Sequence, residues 1–267
     1  MATLVCFHAH PDDEVTATGG VIAQAHAEGH RVVLVTATKG EHGEIQPGVL
    51  EPGEILADRR VKELARACEI LGVDHHHFLG YVDSGMIGTP ENDAPDSFWQ
   101  ADPGEASARL ARILRDEQAD VLTVYDANGV YGHPDHLQVH RIGVRAAQEA
   151  GVPRVYEATM NRDRMRDQLL MAAKEPDAPP ELIEMAETAL TGEGLTMGSP
   201  AAAITTVVDV SPWIDVKRAA FAAHASQIAP DSWFLAMPDD QFAMAFGQEH
   251  FIRRGGPEGL TETSLFA

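Results

Sequence analysis

Residues 3–28 read TLVCFHAHPDDEVTATGGVIAQAHAE and contain three different kinds of segment. Thr3–Phe7 is a short apolar run, which is typical of a buried strand, and Thr16–Glu28 is alanine-rich, which is typical of a helix. Between them lies the polar segment His8–Glu14, interrupted by Pro11. A buried strand that leads through a polar loop into a helix predicts the first half of a βαβ unit.

The same alternation of strands and helices continues to about residue 160. Such alternation favours right-handed crossovers and a largely parallel sheet. The sequence therefore predicts an α/β, Rossmann-like fold with a mostly parallel sheet flanked by helices. The expected strands are Arg31–Ala37, His76–Leu79, Val121–Tyr125 and Arg154–Ala158, and the expected helices are Glu54–Leu71, Gly104–Gln118 and Pro134–Ala150.

The part after residue 160 has weaker patterns. We expect a helix at Arg162–Ala173, a strand at Thr205–Val210 and a helix at Pro212–Gln227 capped by Ser211. Glu175–Pro200 is rich in proline, glutamate and glycine and is interpreted as an irregular insertion. Because no linker stands out, we predict a single domain over residues 1–267, with a Rossmann-like core at 1–160 and a variable C-terminal part at 161–267.

Charge and composition exclude several classes of partner. The chain has 41 acidic and 20 basic residues and a net charge of −21. This balance argues against nucleic acid, whose phosphates need Lys and Arg, and against an anionic membrane. No signal peptide and no long apolar run stand out, so we predict a cytoplasmic protein with a small-molecule partner. Nothing in the sequence supports a homo-oligomer.

Two motifs that combine histidine with carboxylates follow the first and fourth predicted strands. They are HPDDE at His10–Glu14 and HPDH at His133–His136. A catalytic zinc site takes three nitrogen or oxygen ligands from the protein. His10 and Asp13 are three residues apart and can face one side, while His136 or His133 can supply the third ligand. Two histidines and one carboxylate also suit Fe²⁺.

The neighbouring carboxylate suggests a division of roles. If Asp13 binds the ion, Asp12 points elsewhere and can accept a proton from the attacking water. The alternative is structural: each motif can be a turn in which Asp12 or Asp135 caps the following helix. Two such motifs at equivalent strand ends favour the metal site.

Three consecutive histidines, His75–His77, form another candidate cluster. Successive side chains of a strand point to opposite faces, so the three cannot all converge on one ion. We therefore expect them to be structural or surface residues.

The two motifs, AHPDDE at Ala9–Glu14 and HPDH at His133–His136, resemble those of the LmbE-like family. This family includes N-acetylglucosaminyl-phosphatidylinositol de-N-acetylase and the deacetylase and conjugate amidase of mycothiol metabolism. Other segments that match in order are Thr38–Glu44, Arg60–Leu64, Leu79–Met86 and Lys217–Gln227. The match spans most of the chain and is weakest over Arg162–Pro200.

The resemblance implies a zinc-dependent hydrolase that removes an N-acyl group, commonly acetyl, from an N-acylglucosaminyl small molecule by metal-activated water. It implies that His10, Asp13 and His136 bind the metal ion. Asp12 would be the general base and later the general acid. His133, when protonated, would stabilise the oxyanion, and Tyr131 would help to polarise the carbonyl group. It also implies the sugar contacts Arg60, Asp83 and Glu41. Lys217, His224 and Gln227 are interpreted as structural.

Two alternatives stay open. The same site can cleave a larger amide, such as a mycothiol S-conjugate, or deacylate a glycosylated natural product. A hypothesis of another class is a metal-dependent sugar-binding module without turnover. The segments Tyr81–Pro103 and Glu175–Pro200 are expected to face the substrate, so they would distinguish a deacetylase from an enzyme that cleaves a larger amide.

Overall fold

The computed structural model describes residues 1–174, 180–190 and 196–266 of the chain. Within these ranges seven strands form one sheet in the order β3-β2-β1-β4-β5-β7-β6. The first five are mutually parallel, whereas β7 runs antiparallel to both of its neighbours. The mostly parallel α/β fold is therefore confirmed. The strands are β1 Thr3–His8, β2 Arg31–Thr36, β3 His75–Phe78, β4 Val121–Tyr125, β5 Arg154–Thr159, β6 Thr206–Asp209 and β7 Gln248–Arg253.

Helices cover both faces of this sheet. On one face, β1 and β2 pack against α2, α3 and α9, and on the other face they pack against α4 and α6. The helices are α1 Asp13–Ala17, α2 Gly19–Ala27, α3 Leu56–Leu71, α4 Pro103–Asp116, α5 Gly129–Gly132, α6 Pro134–Ala150, α7 Arg162–Ala172, α8 Pro180–Leu190, α9 Ile214–Ala223, α10 Trp233–Ala236 and α11 Asp239–Phe246. None of the helices in the described ranges is long and apolar enough to cross a membrane.

The order of the strands places the candidate motifs. Strand β1 pairs with β2 on one side and with β4 on the other, so the chain changes its direction of winding between β1 and β4. Ligands of open α/β sheets bind beyond the carboxyl ends of the strands at such a point. The HPDDE motif follows β1 and the HPDH motif follows β4 by a few residues, so both lie at this position.

One predicted helix, Thr16–Glu28, is divided in the structure. Helix α1 ends at Ala17, Thr18 has non-helical torsion angles, and α2 begins at Gly19. The carboxylate of Glu249 accepts the backbone N–H groups of Gly20 and Val21 at 2.7 and 2.9 Å. These amides have no partner inside the helix, so a distant carboxylate satisfies the start of α2. Glu249 in turn contacts the buried Lys217 at 2.6 Å, which gives that lysine a structural role.

The C-terminal part differs from its predictions in several places. Strand β7 and helices α10 and α11 were not predicted. The helix at Pro212–Gln227 is shorter: a single 3₁₀ turn, Ser211–Trp213, precedes α9, so Ser211 does not cap it. Within Glu175–Pro200, α8 occupies Pro180–Leu190, while residues 175–179 and 191–195 lie outside the described residues. The single-domain organisation stays a prediction.

Candidate metal-dependent active site

The two motifs meet in one buried cluster of imidazoles and carboxylates. The carboxylate of Asp13 lies between two rings: Oδ2 is 3.3 Å from His10 Nδ1, and Oδ1 is 3.3 Å from His136 Nε2. Ring nitrogens of His10, His133 and His136 also lie within 4.8 Å of one another. The structure thus brings together all three residues predicted as metal ligands, with His133 beside them.

The chemistry of this donor set fits a divalent metal ion. Separations of 3.3 Å between donor atoms are those of two ligands that each lie about 2.0–2.2 Å from one tetrahedral ion. The Nδ1 atom of His136 is buried and has no hydrogen-bond partner among the described residues. The ring of His136 is held by stacking on Tyr125, with centroids 4.3 Å apart. Nitrogen and oxygen donors without cysteine are typical of a catalytic site.

Carboxylates behind His10 fix the orientation of its ring. Nε2 of His10 contacts Asp135 Oδ2 at 3.1 Å and Asp83 Oδ1 at 3.4 Å, which leaves Nδ1 facing Asp13. A carboxylate on the second nitrogen of a ligating histidine is the usual support of such a ligand. Asp135 is itself buried and accepts hydrogen bonds from the backbone N–H and the hydroxyl of Ser84. Asp135 was predicted to lie among the carboxylates at this end of the sheet, with capping of the following helix as the alternative, but its contact with His10 was not predicted.

The charges of this cluster depend on one another. Burial alone would raise the pKa of Asp13, but His136 and His10 lower it well below its usual range. Burial would lower the pKa of His10, but contacts with Asp13, Asp135 and Asp83 raise it well above its usual range. The histidine and the carboxylates therefore stabilise each other's charged forms.

Asp12 has a strained backbone, and its carboxylate is paired with Arg60. Its φ angle is 110°, in a region that residues other than glycine rarely adopt. Two contacts hold it there: its N–H donates to Glu14 Oε2 at 2.9 Å, and its carboxylate Oδ2 lies 3.2 Å from Arg60 Nη2. Burial raises the pKa of Asp12 to about 6, although Arg60 opposes this change. The geometry gives the two neighbouring carboxylates different environments, as the division of roles requires.

The three predicted sugar contacts lie around the cluster and engage protein groups. Arg60 is only 3% exposed, and besides Asp12 it donates to the carbonyl oxygens of Gly40 and Pro11 at 2.9 and 2.5 Å. Asp83 contacts His10, and its N–H donates to Glu41 Oε2 at 3.0 Å. Their predicted contact with a sugar stays a prediction.

His133 and Tyr131 contact the histidine rings of the cluster: the ring centroids of His133 and His10 are 4.7 Å apart, as are those of Tyr131 and His136. The Nδ1 atom of His133 accepts the backbone N–H of Asp135 at 3.1 Å, so the ring proton of a neutral His133 lies on Nε2. Burial, together with the nearby His10 and His136, lowers the pKa of His133 to about 4. The Tyr131 side chain is 43% exposed, and its hydroxyl lies 3.4 Å from His136 Nε2.

The loop that carries Tyr131 is fixed by a residue that the sequence analysis missed. Val130 has a φ angle of 61°, which is unusual for a β-branched residue. Asp126, directly after β4, accepts the N–H groups of Asn128 and Val130 at 3.0 Å each. Its other oxygen accepts the hydroxyl of Thr159 at 2.5 Å. An aspartate at the carboxyl end of a strand was the available signal.

A buried pair, Glu14 and His224, supports the backbone of Asp12. His224 Nε2 contacts Glu14 Oε1 at 2.6 Å, and both side chains are buried. Since Glu14 also accepts the N–H of Asp12, the pair connects α9 with the strained residue. His224 was interpreted as structural, and this contact gives it a defined partner.

A large cavity opens beside Asp13, Tyr131 and His136. Its volume is about 520 Å³. Apart from these three residues, much of its wall is apolar, formed among others by Val130, Met160, Met165, Trp233, Phe234 and Phe246. The cavity is thus large enough for a group bigger than acetyl.

Comparisons with known proteins give consistent results. The sequence model of the family described as GlcNAc-PI de-N-acetylase (PIG-L) matches residues 5–147. A 1D-myo-inositol 2-acetamido-2-deoxy-alpha-D-glucopyranoside deacetylase of Acidothermus cellulolyticus is 41% identical over 282 residues, covering 99% of this chain and 94% of the relative.

Solved structures support the fold. N,N'-diacetylchitobiose deacetylase from Pyrococcus horikoshii superposes with a TM-score of 0.60 at 22% identity, over 94% of this chain and 83% of that chain. The hydratase GalB from Pseudomonas putida has a TM-score of 0.61 at 20% identity, over 96% and 98%. Because one fold here hosts a deacetylase and a hydratase, these likenesses show architecture alone. The family model and the 41% identical relative go further: the chain belongs to the GlcNAc-PI de-N-acetylase (PIG-L, LmbE-like) family and is a hydrolase of its deacetylase class.

Proposed function

We propose that the chain is a zinc-dependent deacetylase that removes the N-acetyl group from an N-acetylglucosaminyl small molecule. The observation that carries the proposal is the position of Asp13 between His10 and His136, with the neighbouring carboxylate of Asp12 paired with Arg60 instead. The relative from Acidothermus cellulolyticus, whose name specifies an acetamido sugar joined to inositol, supports this class of substrate.

His10, Asp13 and His136 would hold the ion. When bound, zinc would lower the pKa of a water molecule and polarise the substrate carbonyl. Fe²⁺ suits the same donors, so metal analysis must accompany every activity measurement. His133 is the less suitable third ligand because its Nδ1 already accepts the N–H of Asp135.

Asp12 would act as general base and then as general acid. With a pKa of about 6 its carboxylate is ionised near neutral pH, yet basic enough to take a proton from the attacking water. The same carboxyl group would then protonate the leaving nitrogen. Arg60 would support this role by orienting Asp12. Asp83 and Glu41 remain the proposed acceptors for sugar hydroxyls.

His133 would stabilise the oxyanion in a different protonation state from the one expected. The sequence-based hypothesis used a protonated His133, but its lowered pKa favours the neutral ring at neutral pH. A neutral ring with its proton on Nε2 still donates a hydrogen bond. Tyr131, with its hydroxyl beside His136, would assist as a second donor to the carbonyl oxygen.

A second candidate substrate is a larger amide. The apolar cavity of about 520 Å³ beside Asp13 and His136 favours a substrate with an apolar group on the acyl side or the aglycone. An acetyl group alone would leave most of this volume empty.

The cytoplasmic location of the protein stays a prediction.

The test is amine release from two matched substrates, detected with fluorescamine, with metal analysis of the same sample. One substrate is N-acetylglucosaminyl-inositol, and the other carries a longer N-acyl chain on the same sugar. Faster turnover of the acetyl compound supports the first proposal, and faster turnover of the acyl compound supports the second. No amine release from either substrate by a zinc-loaded chain would contradict both proposed substrates.

Three variants assign the roles. Asp12→Ala should abolish turnover and retain the zinc of this site, whereas Asp13→Ala should lose both turnover and one equivalent of zinc. His133→Ala should retain zinc. If Asp12→Ala lost the ion and Asp13→Ala kept it, the proposed division between the two carboxylates would be wrong.

A further inference from the structure

Two of the three consecutive histidines share a face with a buried carboxylate. His75 and His77 are separated by one residue on β3, so their side chains point to the same side of the strand. His77 Nε2 lies 2.6 Å from Glu117 Oε1, and His75 Nδ1 lies 3.2 Å from the same oxygen. His76 points the other way and contacts the hydroxyl of Thr36 at 3.1 Å. As expected, the three histidines do not converge on one point, but His75 and His77 both contact Glu117.

We propose that His75, His77 and Glu117 form a second binding site for a divalent transition-metal ion of the zinc type. Two imidazoles and one carboxylate are a ligand set that zinc uses in proteins, with the fourth position open to water. One ligand atom from each residue can be chosen so that all three lie within 4.8 Å of one another. Binding requires that His77 Nε2 give up the proton that it donates to Glu117 and that the three ligand atoms move apart around the ion.

The exposure of the three side chains fits an ion that enters from solvent. Glu117 lies at the base with its side chain 8% exposed, while His75 and His77 stand above it at 56% and 37%. Contacts with His77, His75 and Arg31 outweigh the effect of burial and lower the pKa of Glu117 to about 2. The carboxylate is therefore ionised at every pH at which the histidines can ligate.

Arg31 is the group that competes with an ion. Its Nη2 contacts the other oxygen of Glu117 and lies 2.9 Å from His75 Nδ1. A guanidinium has no lone pair to share, so it must be the donor, and His75 Nδ1 therefore presents its lone pair inward. An ion on Oε1 would take that lone pair while Arg31 keeps Oε2. We expect Arg31 to weaken binding by charge repulsion rather than to prevent it.

This site is separate from the proposed active site. His75 begins β3, Arg31 begins β2, and Glu117 follows α4 shortly before β4, so the cluster lies at the amino ends of the parallel strands. His10 and His136 lie beyond the opposite ends. Loss of the second site should therefore leave deacetylation unchanged, and the proposal does not depend on the proposed function.

The test is equilibrium dialysis of the full chain against zinc, followed by elemental analysis. We expect His77→Ala and Glu117→Gln each to bind one equivalent less than the unaltered chain. His76→Ala, from the opposite face of the same strand, is the matched control and should bind as much as the unaltered chain. Equal zinc content in all four proteins would overturn the proposal.

Two further measurements keep the result interpretable. Amine release and circular dichroism should be the same in all four proteins, and His75→Ala replaces His77→Ala if the latter fails to fold. Arg31→Met removes the competing cation and should bind zinc more tightly than the unaltered chain. Weaker binding by Arg31→Met would contradict the placement of the ion beside Glu117.

Discussion

The buried pair of Glu14 and His224 offers the sharpest test of how the fold supports Asp12. Both side chains are inaccessible to solvent, and their charged atoms are 2.6 Å apart. Burial would raise the pKa of Glu14 and lower that of His224, but each partner reverses the effect on the other. Each partner therefore favours the charged form of the other, and His224→Ala would leave a buried carboxylate without its partner.

The expected magnitude follows from this burial. Removal of one partner of a buried ion pair costs about 3–5 kcal/mol in the free energy of unfolding, far more than the ~1 kcal/mol of an average substitution. Glu14→Gln keeps the shape and an acceptor for the N–H of Asp12 and lets His224 become neutral. We therefore expect a smaller loss, about 1–3 kcal/mol.

The effect on activity should differ from the effect on stability. Glu14 Oε2 accepts the N–H of Asp12, whose backbone strain is of the order of 1–3 kcal/mol and persists only while its surroundings hold it. Glu14→Ala removes that acceptor and should lower kcat with little change in KM. Glu14→Gln retains it and should recover most of kcat.

Urea unfolding and amine release measure the two effects separately. The double variant Glu14→Ala/His224→Ala should lose less stability than the sum of the single variants, because the second substitution removes a group that the first has left unpaired. A loss below ~1 kcal/mol for His224→Ala, together with additive free energies, would refute this account of the pair.

Three other predictions concern different parts of the chain. His133→Ala should lower kcat about 10²–10³-fold, the usual effect of one oxyanion donor, and an unchanged kcat would remove it from catalysis. Gly143→Ala should lower the free energy of unfolding by about 1–3 kcal/mol in urea, because an added Cβ would overlap Val124 on the neighbouring strand. Glu117→Gln, compared with the unaltered chain in urea with chelator, should be less stable at neutral pH. Since folding lowers the Glu117 pKa from 4.5 to about 2, this difference should shrink as pH falls from 4.5 towards 2.

The sequence predicted the bounds of an element correctly where residues at its own ends determine where it begins and ends. Helix α6 was predicted over Pro134–Ala150 and has these bounds in the structure, because proline suits the first helical turn and Gly151 ends the helix with a φ angle of 75°. The helix predicted at Thr16–Glu28 failed for the opposite reason. Its division depends on Glu249, more than 220 residues away, which no local pattern contains.

Strand β7 was missed because a charge interrupts its apolar alternation. Glu249 and Phe251 are its fully buried positions, but Glu249 faces inward to accept the amides of α2 and to pair with Lys217. In a sequence pattern, a glutamate predicts a surface position, although this one points inward. Glu249, whose buried carboxylate supports α2, is therefore also the reason why β7 is difficult to predict from the sequence.

The clustering of the candidate site residues was predictable because two short motifs combine suitable side chains with positions at strand ends, whereas the protonation of these residues depends on tertiary contacts. The neutral state of His133 follows from burial and two neighbouring rings, which the motif does not reveal. The three consecutive histidines, His75–His77, likewise have tertiary contacts that the local sequence does not reveal. Strand alternation correctly separates His76 from its neighbours, but that alternation also places His75 and His77 on one face. Only the fold adds Glu117, 40 residues from His77, and the carboxylate changes two surface histidines into a candidate ligand set.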